Sequence, residues 1–253
     1  MIKQDLGFIS MQYIIIGNFG NHSVAAMQAL IEEGLTELHF VYVQTGWEAA
    51  VWPERVRACT DYAESQGVRV HQLKAKASFA EMVRDRKQFP SPKFQWCASF
   101  LKGLAILEHL DDLDPACEAV IVSGKRRADS RRYANLEEFE NEDELYQGRT
   151  LWHPLWQTTD AELIELIHKA GFNPLPHQSL ECSPCIHTKT EGLASLDSEV
   201  VARLEVLEQE IGQTMYAEPI RNLSCLSKIP KAAKGFGLQQ FDLGCGAPWG
   251  CGE

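Results

Sequence analysis

The sequence predicts an α/β fold, a parallel sheet with helices on both faces, followed by a helical and Gly-rich C-terminal appendage. Three observations carry that reading. Short β-branched or aromatic runs alternate with stretches of helical period, the rhythm of βαβ units. The first run, Tyr13-Ile-Ile-Ile16, stops in a turn holding Gly17 and Gly20 and leads straight into a helical pattern. Glycine or arginine marks the loop after the first, second and fourth such runs, and in open α/β sheets ligands sit at those carboxyl ends.

The elements follow in order. After the turn a helix opens at Ser23, with Val24, Met27, Ala29, Leu30 and Ile31 giving the apolar pattern. Leu38 to Val43 is a second strand, closed by the turn Gln44-Thr-Gly-Trp47. Pro53-Glu54 starts the next helix, because proline suits the first helical turn and an acidic side chain suits the positive end of the helix dipole. Val68 to Leu73 is a third strand, and Ser78 with Glu81 three residues on forms a capping box. The connection Phe89-Pro-Ser-Pro-Lys93 leads into Trp96-Cys97 and a helix to about Leu110. Ala119 to Ser123 is a fourth strand that empties into a basic loop.

The acidic run Glu137 to Glu144 reads as a solvated loop or helix face without a catalytic role. Thr159 and Glu162 form a second capping box, for a helix through about Ala170 that Asn173-Pro-Leu-Pro176 ends. Leu196 to Ile211 is amphipathic, with Val200, Leu204, Leu207 and Ile211 on one stripe. From Ser224 the chain is rich in Gly, Lys and Pro without a clear period, as expected of a mobile tail. The division this implies is residues 1–190 for a nucleotide-binding domain with a cysteine cluster, and 191–253 for the helix and Cys/Gly tail.

With 253 residues, 45% of them hydrophobic, the chain can bury a substantial core. No apolar run reaches the ~18 residues of a membrane span and no signal-peptide pattern opens the chain, so the expected location is cytoplasmic, away from membranes. A formal net charge of −11 argues against nucleic-acid binding by the whole surface and leaves that role to a local basic patch or to partner proteins. Eight cysteines, unevenly clustered, point to metal or redox chemistry rather than a disulfide framework.

The Gly-rich turn is a phosphate-binding geometry. Gly17 and Gly20 let backbone approach an anion, N–H groups at the helix start point at it, and the dipole favours its charge. Arg126, Arg127, Arg131 and Arg132 add guanidinium forks suited to phosphate or sulfate oxygens. Together, Asn18-Phe-Gly20 with Ser23, Thr45-Gly46 followed by Trp52-Pro-Glu54, and Ser123-Gly-Lys-Arg-Arg-Ala-Asp-Ser-Arg-Arg132 resemble the phosphoadenylyl sulfate (PAPS) reductase branch of the PP-loop, adenine nucleotide alpha-hydrolase-like enzymes, over about residues 13 to 190. That resemblance implies a parallel sheet of five or more strands. ATP or another adenine nucleotide, with magnesium as a counter-ion, would be bound through Gly17, Asn18, Phe19, Gly20, Ser23, Thr45, Gly46, Gly124, Arg126, Arg127 and Arg131. Asn21 and His22 stand where PP-loop pyrophosphatases carry other residues, Asp among them, and Gln44 stands where many members have Asp.

The second constellation is Cys97 with Cys182-Ser-Pro-Cys185. Thiolates so spaced suit iron–sulfur or zinc. By resemblance to nucleic-acid thiolation enzymes and DNA phosphorothioation pyrophosphatases, the first expectation is a four-iron cluster on Cys97, Cys182 and Cys185. Zinc, with His187 or a tail cysteine as fourth ligand, is the alternative, and the absence of any metal is a third. Cys59, Cys117 and Cys225 read as buried structural thiols. Reductases of the family end in Glu-Cys-Gly, which makes Cys251 in Gly250-Cys-Gly252, or Cys245, a candidate nucleophile.

Three functions follow. The first is adenylation of a nucleic-acid acceptor for sulfur incorporation, of the DNA phosphorothioation type, with a cysteine desulfurase as donor and Cys182 and Arg127 in catalytic roles. The second is a thiol-dependent adenylyl sulfate reductase acting through Cys251. The third is a non-catalytic nucleotide-binding subunit of a sulfur-transfer complex, which His22 in place of Asp would suit.

Overall fold

The computed structural model describes residues 11–225 and Trp249. Six strands form one sheet in the order β3-β2-β1-β4-β6-β5. They are β1 (Tyr13–Ile16), β2 (Leu38–Gln44), β3 (Arg69–Lys74), β4 (Val120–Val122), β5 (Phe139–Asp143) and β6 (Arg149–Trp152). All neighbours run parallel except β5, which pairs antiparallel with β6. The acidic run read as a loop or helix face is therefore largely an edge strand. An edge strand needs only one hydrogen-bonded neighbour, and its charges keep the outer edge from pairing with another chain.

Helices α1 (Asn21–Glu32), α2 (Trp52–Ser65) and α5 (Asp160–Lys169) cover one face of the sheet. On the other lie α3 (Phe79–Arg86), α4 (Leu104–Leu113) and, beyond α6 (Thr190–Ala194), α7 (Ser198–Ile211) and α8 (Ile220–Cys225). Strand alternation produces the two cores. Ile14, Ile16, Val41, Val43, Ile121 and Leu151 face Phe79, Leu110, Leu204 and Leu207, while Ile15, Phe40, Tyr42 and Val122 face Val24, Met27, Cys59 and Leu163. The predicted stripe on α7 is thus core packing against the sheet layer, with Val200, Leu204 and Leu207 buried.

Both capping boxes form: Ser78 Oγ accepts from Glu81 N and Thr159 Oγ1 from Glu162 N. The stretch from Trp96 to Leu110 is not one α-helix. Cys97–Gly103 is π-helical and runs directly into α4, a local widening often found at functional sites. Beyond Cys225, only Trp249 is described, and it is buried. Its ring lies against Gly103, where an added Cβ would come 2.7 Å from the indole, and edge-on to Tyr146 at 5.1 Å. Cys245 and Cys251 lie outside the described residues, as does the Cys225 side chain.

One charged cluster holds the β4–β6 side together. Arg149 is buried, and its Nε donates to Asp114 Oδ2 at 2.7 Å while Nη2 donates to Asp114 O at 2.6 Å. Asp114 in turn accepts from the backbone N–H groups of Glu118 and Ala119. The carboxylate therefore fixes the turn that starts β4.

Candidate functional site

The carboxyl edge of the sheet collects the β1–α1 loop, the Thr45–Gly46 turn and the loop after β4, as the sequence predicts. α1 begins at Asn21 rather than Ser23, and Gly20 is its N-cap with no side-chain cap. The first intrahelical bond runs from Val24 N to Gly20 O. The N–H groups of Asn21, His22 and Ser23 thus precede any intrahelical acceptor, which is the arrangement that receives an anion.

The side chains of the loop mostly build it. Phe19, expected at the nucleotide, is fully buried at φ 61° and stacks on Phe40 with ring centroids 4.2 Å apart. An aromatic ring gains far more from that apolar contact than from a phosphate. Asn18 is also buried: its Oδ1 accepts from Gly20 N at 2.7 Å and from Ser23 Oγ at 3.3 Å, and its amide donates to Ser179 and Glu181. At Gly17 a Cβ would lie 2.5 Å from Phe40 and 2.6 Å from Ser23, so that glycine serves packing.

Two residues that nothing in the sequence singles out support the loop from below. Lys102 Nζ lies 2.6 Å from Glu181 Oε2, with both side chains buried. Burial raises the Glu181 carboxyl's pKa, and Lys102 and Asn18 oppose that shift. The pair joins the π-helical segment after Cys97 to the residue before Cys182 and, through Asn18, to the Gly-rich loop. A lone lysine on an apolar helix gives no signal of such a role without its distant partner.

Thr45 N and Gly46 N donate to Glu48 Oε1 at 2.7 and 3.2 Å. Gly46 has φ +70°, and a Cβ there would meet Ser78 at 2.8 Å. Beside this turn a cleft of about 540 Å³ opens between β2, β3 and α2, lined by Tyr42, Gln44, Glu48, Arg57, Asp61 and Gln72 among others. Arg55 on α2 donates to Phe19 O, which ties the cleft's helix to the loop.

The basic loop departs most from expectation. Arg126 is buried and fully engaged: Nε and Nη2 reach Asp129 Oδ1 at 2.9 and 2.6 Å, Nη2 reaches Asp160 at 2.9 Å, and Nη1 donates to Thr158 O. It is a structural cation rather than an open phosphate fork. Burial works against ionisation of Asp129, but His22 and Arg126 outweigh it and hold its pKa below the ordinary value. His22 Nε2 is 3.1 Å from Asp129 Oδ1, so the imidazole N–H donates to the carboxylate. Arg127 is exposed, donates from Nε to Leu136 O and stacks over Trp156 at 4.4 Å. Arg131 and Arg132 are exposed. Gly124 is required by contact, because a Cβ there would sit 2.9 Å from the His22 backbone.

The cysteine segments also meet, through Gln95 Nε2 and His187 Nε2 at 3.1 Å. Trp47 Nε1 donates to Pro184 O, and Arg203 donates to Trp47 O and Ser183 O. Cys97, Cys182 and Cys185 are each half-buried. Among the described residues, however, no three His, Cys, Asp or Glu side chains are grouped to hold a metal. Of the cysteines read as structural, Cys59 is buried and burial pushes its thiol pKa up to about 11, while Cys117 is only half-buried.

A curated protein of Escherichia phage 186, an uncharacterized 37.8 kDa protein in the gpa 5′ region, is 26% identical over 141 residues, and the match covers 52% of this chain and 42% of the phage protein. The chain thus matches less than half the length of that relative. Among solved structures, PAPS reductase from Candida auris has a TM-score of 0.45 at 15% identity, covering 66% of this chain and 76% of that one. NMN synthetase from Francisella tularensis has 0.49 at 9%, covering 93% and 90%. The U34-tRNA thiolase NcsA from Methanococcus maripaludis, solved with its [4Fe-4S] cluster, has 0.44 at 14%, covering 92% and 77%. The likenesses to these three structures bear on neither ligand nor activity. The model of the phosphoadenosine phosphosulfate reductase domain matches residues 12–187, and the chain belongs to that family.

Proposed function

We propose that the chain binds ATP at the carboxyl edge of its sheet and adenylates a nucleic-acid acceptor for sulfur incorporation, of the DNA phosphorothioation type. The observation that carries the nucleotide site is the start of α1. Gly20 leaves the helix uncapped, Asn18 holds the loop open from beneath, and the N–H groups of the first turn are positioned for phosphate oxygens. The cleft of about 540 Å³ beside the Thr45–Gly46 turn has room for a nucleoside. Magnesium would accompany the phosphates.

In the reaction, an acceptor phosphate oxygen attacks the α-phosphorus and releases pyrophosphate. Sulfur supplied by a cysteine desulfurase reaches Cys182 as a persulfide, whose terminal sulfur displaces AMP; an external thiol then reduces the S–S bond and frees the product. This scheme routes no step through an iron–sulfur cluster, which Cys97, Cys182 and Cys185 would hold. Iron and sulfide analysis of anaerobic protein tests the cluster directly.

The second reading, a thiol-dependent adenylyl sulfate reductase, is favoured by one observation. Trp249, two residues before Cys251, is buried against Gly103 and Tyr146 on the site domain. Assaying anaerobic protein for pyrophosphate release from ATP against sulfite release from adenylyl sulfates separates the two. Pyrophosphate release that depends on an acceptor supports sulfur transfer, whereas sulfite release abolished by Cys251→Ser supports the reductase.

A further inference from the structure

His22 is the second residue of α1, so its backbone N–H is among those without an intrahelical acceptor. Its ring is 3% exposed. One nitrogen, Nε2, is committed to Asp129 at 3.1 Å. The other, Nδ1, is buried with no hydrogen-bond partner among the described residues. A buried polar atom left without a partner costs about 1 to 3 kcal/mol, which a fold accepts readily only where a ligand or water completes it.

The surroundings fix this ring in place. Burial opposes ionisation of Asp129, but His22 itself and then Arg126 hold it ionised, and Arg126 is in turn pinned by Asp160 and Thr158 O. Gly124 lies against the His22 backbone, so the β4 loop closes over the start of α1 without a side chain between them. The charged groups placed to act on the imidazole are thus Asp129 and, behind it, Arg126 and Asp160.

We propose that His22 is a phosphate ligand of the nucleotide site, taking up a proton at Nδ1 as the polyphosphate binds and donating that N–H to a phosphate oxygen. Asp129 and Arg126 act as positioning residues that fix the ring with Nε2 turned away. The proposal rests on the nucleotide reading above. It gives the arginine-bearing loop a role that its buried guanidinium cannot play directly: Arg126 orients the carboxylate that orients the histidine.

The test is calorimetric titration of the full chain with ATP at pH 7.5 in buffers of different ionisation enthalpy. Wild type is expected to take up a substantial fraction of one proton per ATP bound. His22→Gln, which keeps a donor near the Nε2 position and lacks Nδ1, should lose that uptake and bind ATP about tenfold or more weakly, the scale of one charge-assisted hydrogen bond. His22→Asn, which places an amide donor near the Nδ1 position, should recover part of the affinity without the proton uptake. Far-UV circular dichroism checks that each variant is folded. For wild type itself, the His22 Nδ1 resonance in ¹⁵N spectra should move on ATP addition, which keeps the test decisive if the variants fail to fold. ATP binding with no proton uptake and an unmoved Nδ1 would overturn the proposal and leave the nucleotide reading standing, with a water as the partner of Nδ1. Absence of any ATP binding would overturn both.

Discussion

The β1–α1 loop and the β4 loop meet at the same edge of the sheet, and both look like phosphate-binding motifs in the sequence. In the structure they divide the work differently. The Gly-rich loop turns its side chains inward, with Phe19 on Phe40 and Asn18 on Ser179 and Glu181, and leaves the N–H groups of Asn21, His22 and Ser23 without an intrahelical acceptor. The arginine loop turns its first guanidinium inward as well, so that Arg126 is spent on Asp129 and Asp160. A basic residue marks a phosphate site only when no carboxylate lies within reach, and here Asp129 lies three residues on. The difference shows why residue type misleads more often than backbone geometry at such an edge.

The largest effect is expected beneath the Gly-rich loop. Lys102→Ala leaves Glu181 buried without its cation, and losing one partner of a buried pair costs about 3 to 5 kcal/mol. Chemical denaturation reads this directly. A loss below about 1 kcal/mol would mean that the pair does not support the loop.

On the other side of the comparison, Arg126→Met should cost about 2 to 3 kcal/mol of stability, since it removes charge-assisted bonds to two carboxylates, one of them buried. The same denaturation series measures it. Near-wild-type stability with strongly weakened ATP binding would instead restore Arg126 as a direct phosphate ligand.

A control comes from outside both loops. His39 Nδ1 and His71 Nε2 are 2.9 Å apart, and the His71 and His109 rings are 4.6 Å apart, which joins β2, β3 and α4. Burial, then the neighbouring His109, His39 and Arg69, lower the His71 pKa to about 4; burial also lowers those of His39 and His109. Folded-state values below the unfolded one near 6.5 mean that the unfolded chain binds more protons. The trio's contribution is therefore fully present above pH 6.5 and is lost as pH falls from there towards 4. Denaturation midpoints between pH 7 and 4.5 should fall less in His109→Phe than in wild type, and an equal fall would exclude the trio as the cause.

The smallest effect is expected at Arg127. Its guanidinium is exposed, stacked on Trp156 and bonded to Leu136 O, so Arg127→Ala should change stability and ATP affinity by about 1 kcal/mol or less. A loss of 1.5 kcal/mol or more in ATP binding would return the phosphates to the arginine loop.

What was legible in the sequence is what local chemistry controls. The four parallel strands, both capping boxes, the α7 stripe and the turn at Gly17 to Gly20 all follow from period, β-branching and short-range hydrogen bonding. β5 and β6 were missed because Phe139 to Asp143 is acidic and Arg149-Thr-Leu-Trp152 is short; pairing with β4 and the Arg149–Asp114 bond, not composition, makes that edge. At the site, Gly20 and Gly46 could be read from their neighbours. Lys102 and Glu181 could not, because they are 79 positions apart and only the fold joins them. The packing of Phe19 on Phe40 and the bonds of Arg126 to Asp160 and Thr158 O were hidden for the same reason, since those partners are distant in the chain.

The most direct test of the division between the two loops is the backbone amide ¹⁵N–¹H spectrum of the chain titrated with ATP. If the phosphates sit on the start of α1, the amides of residues 20–23 should show the largest shifts, with those of 125–132 moving less. Shifts concentrated in 125–132, with the amides of 20–23 unmoved, would contradict that placement and make the arginine loop the phosphate site.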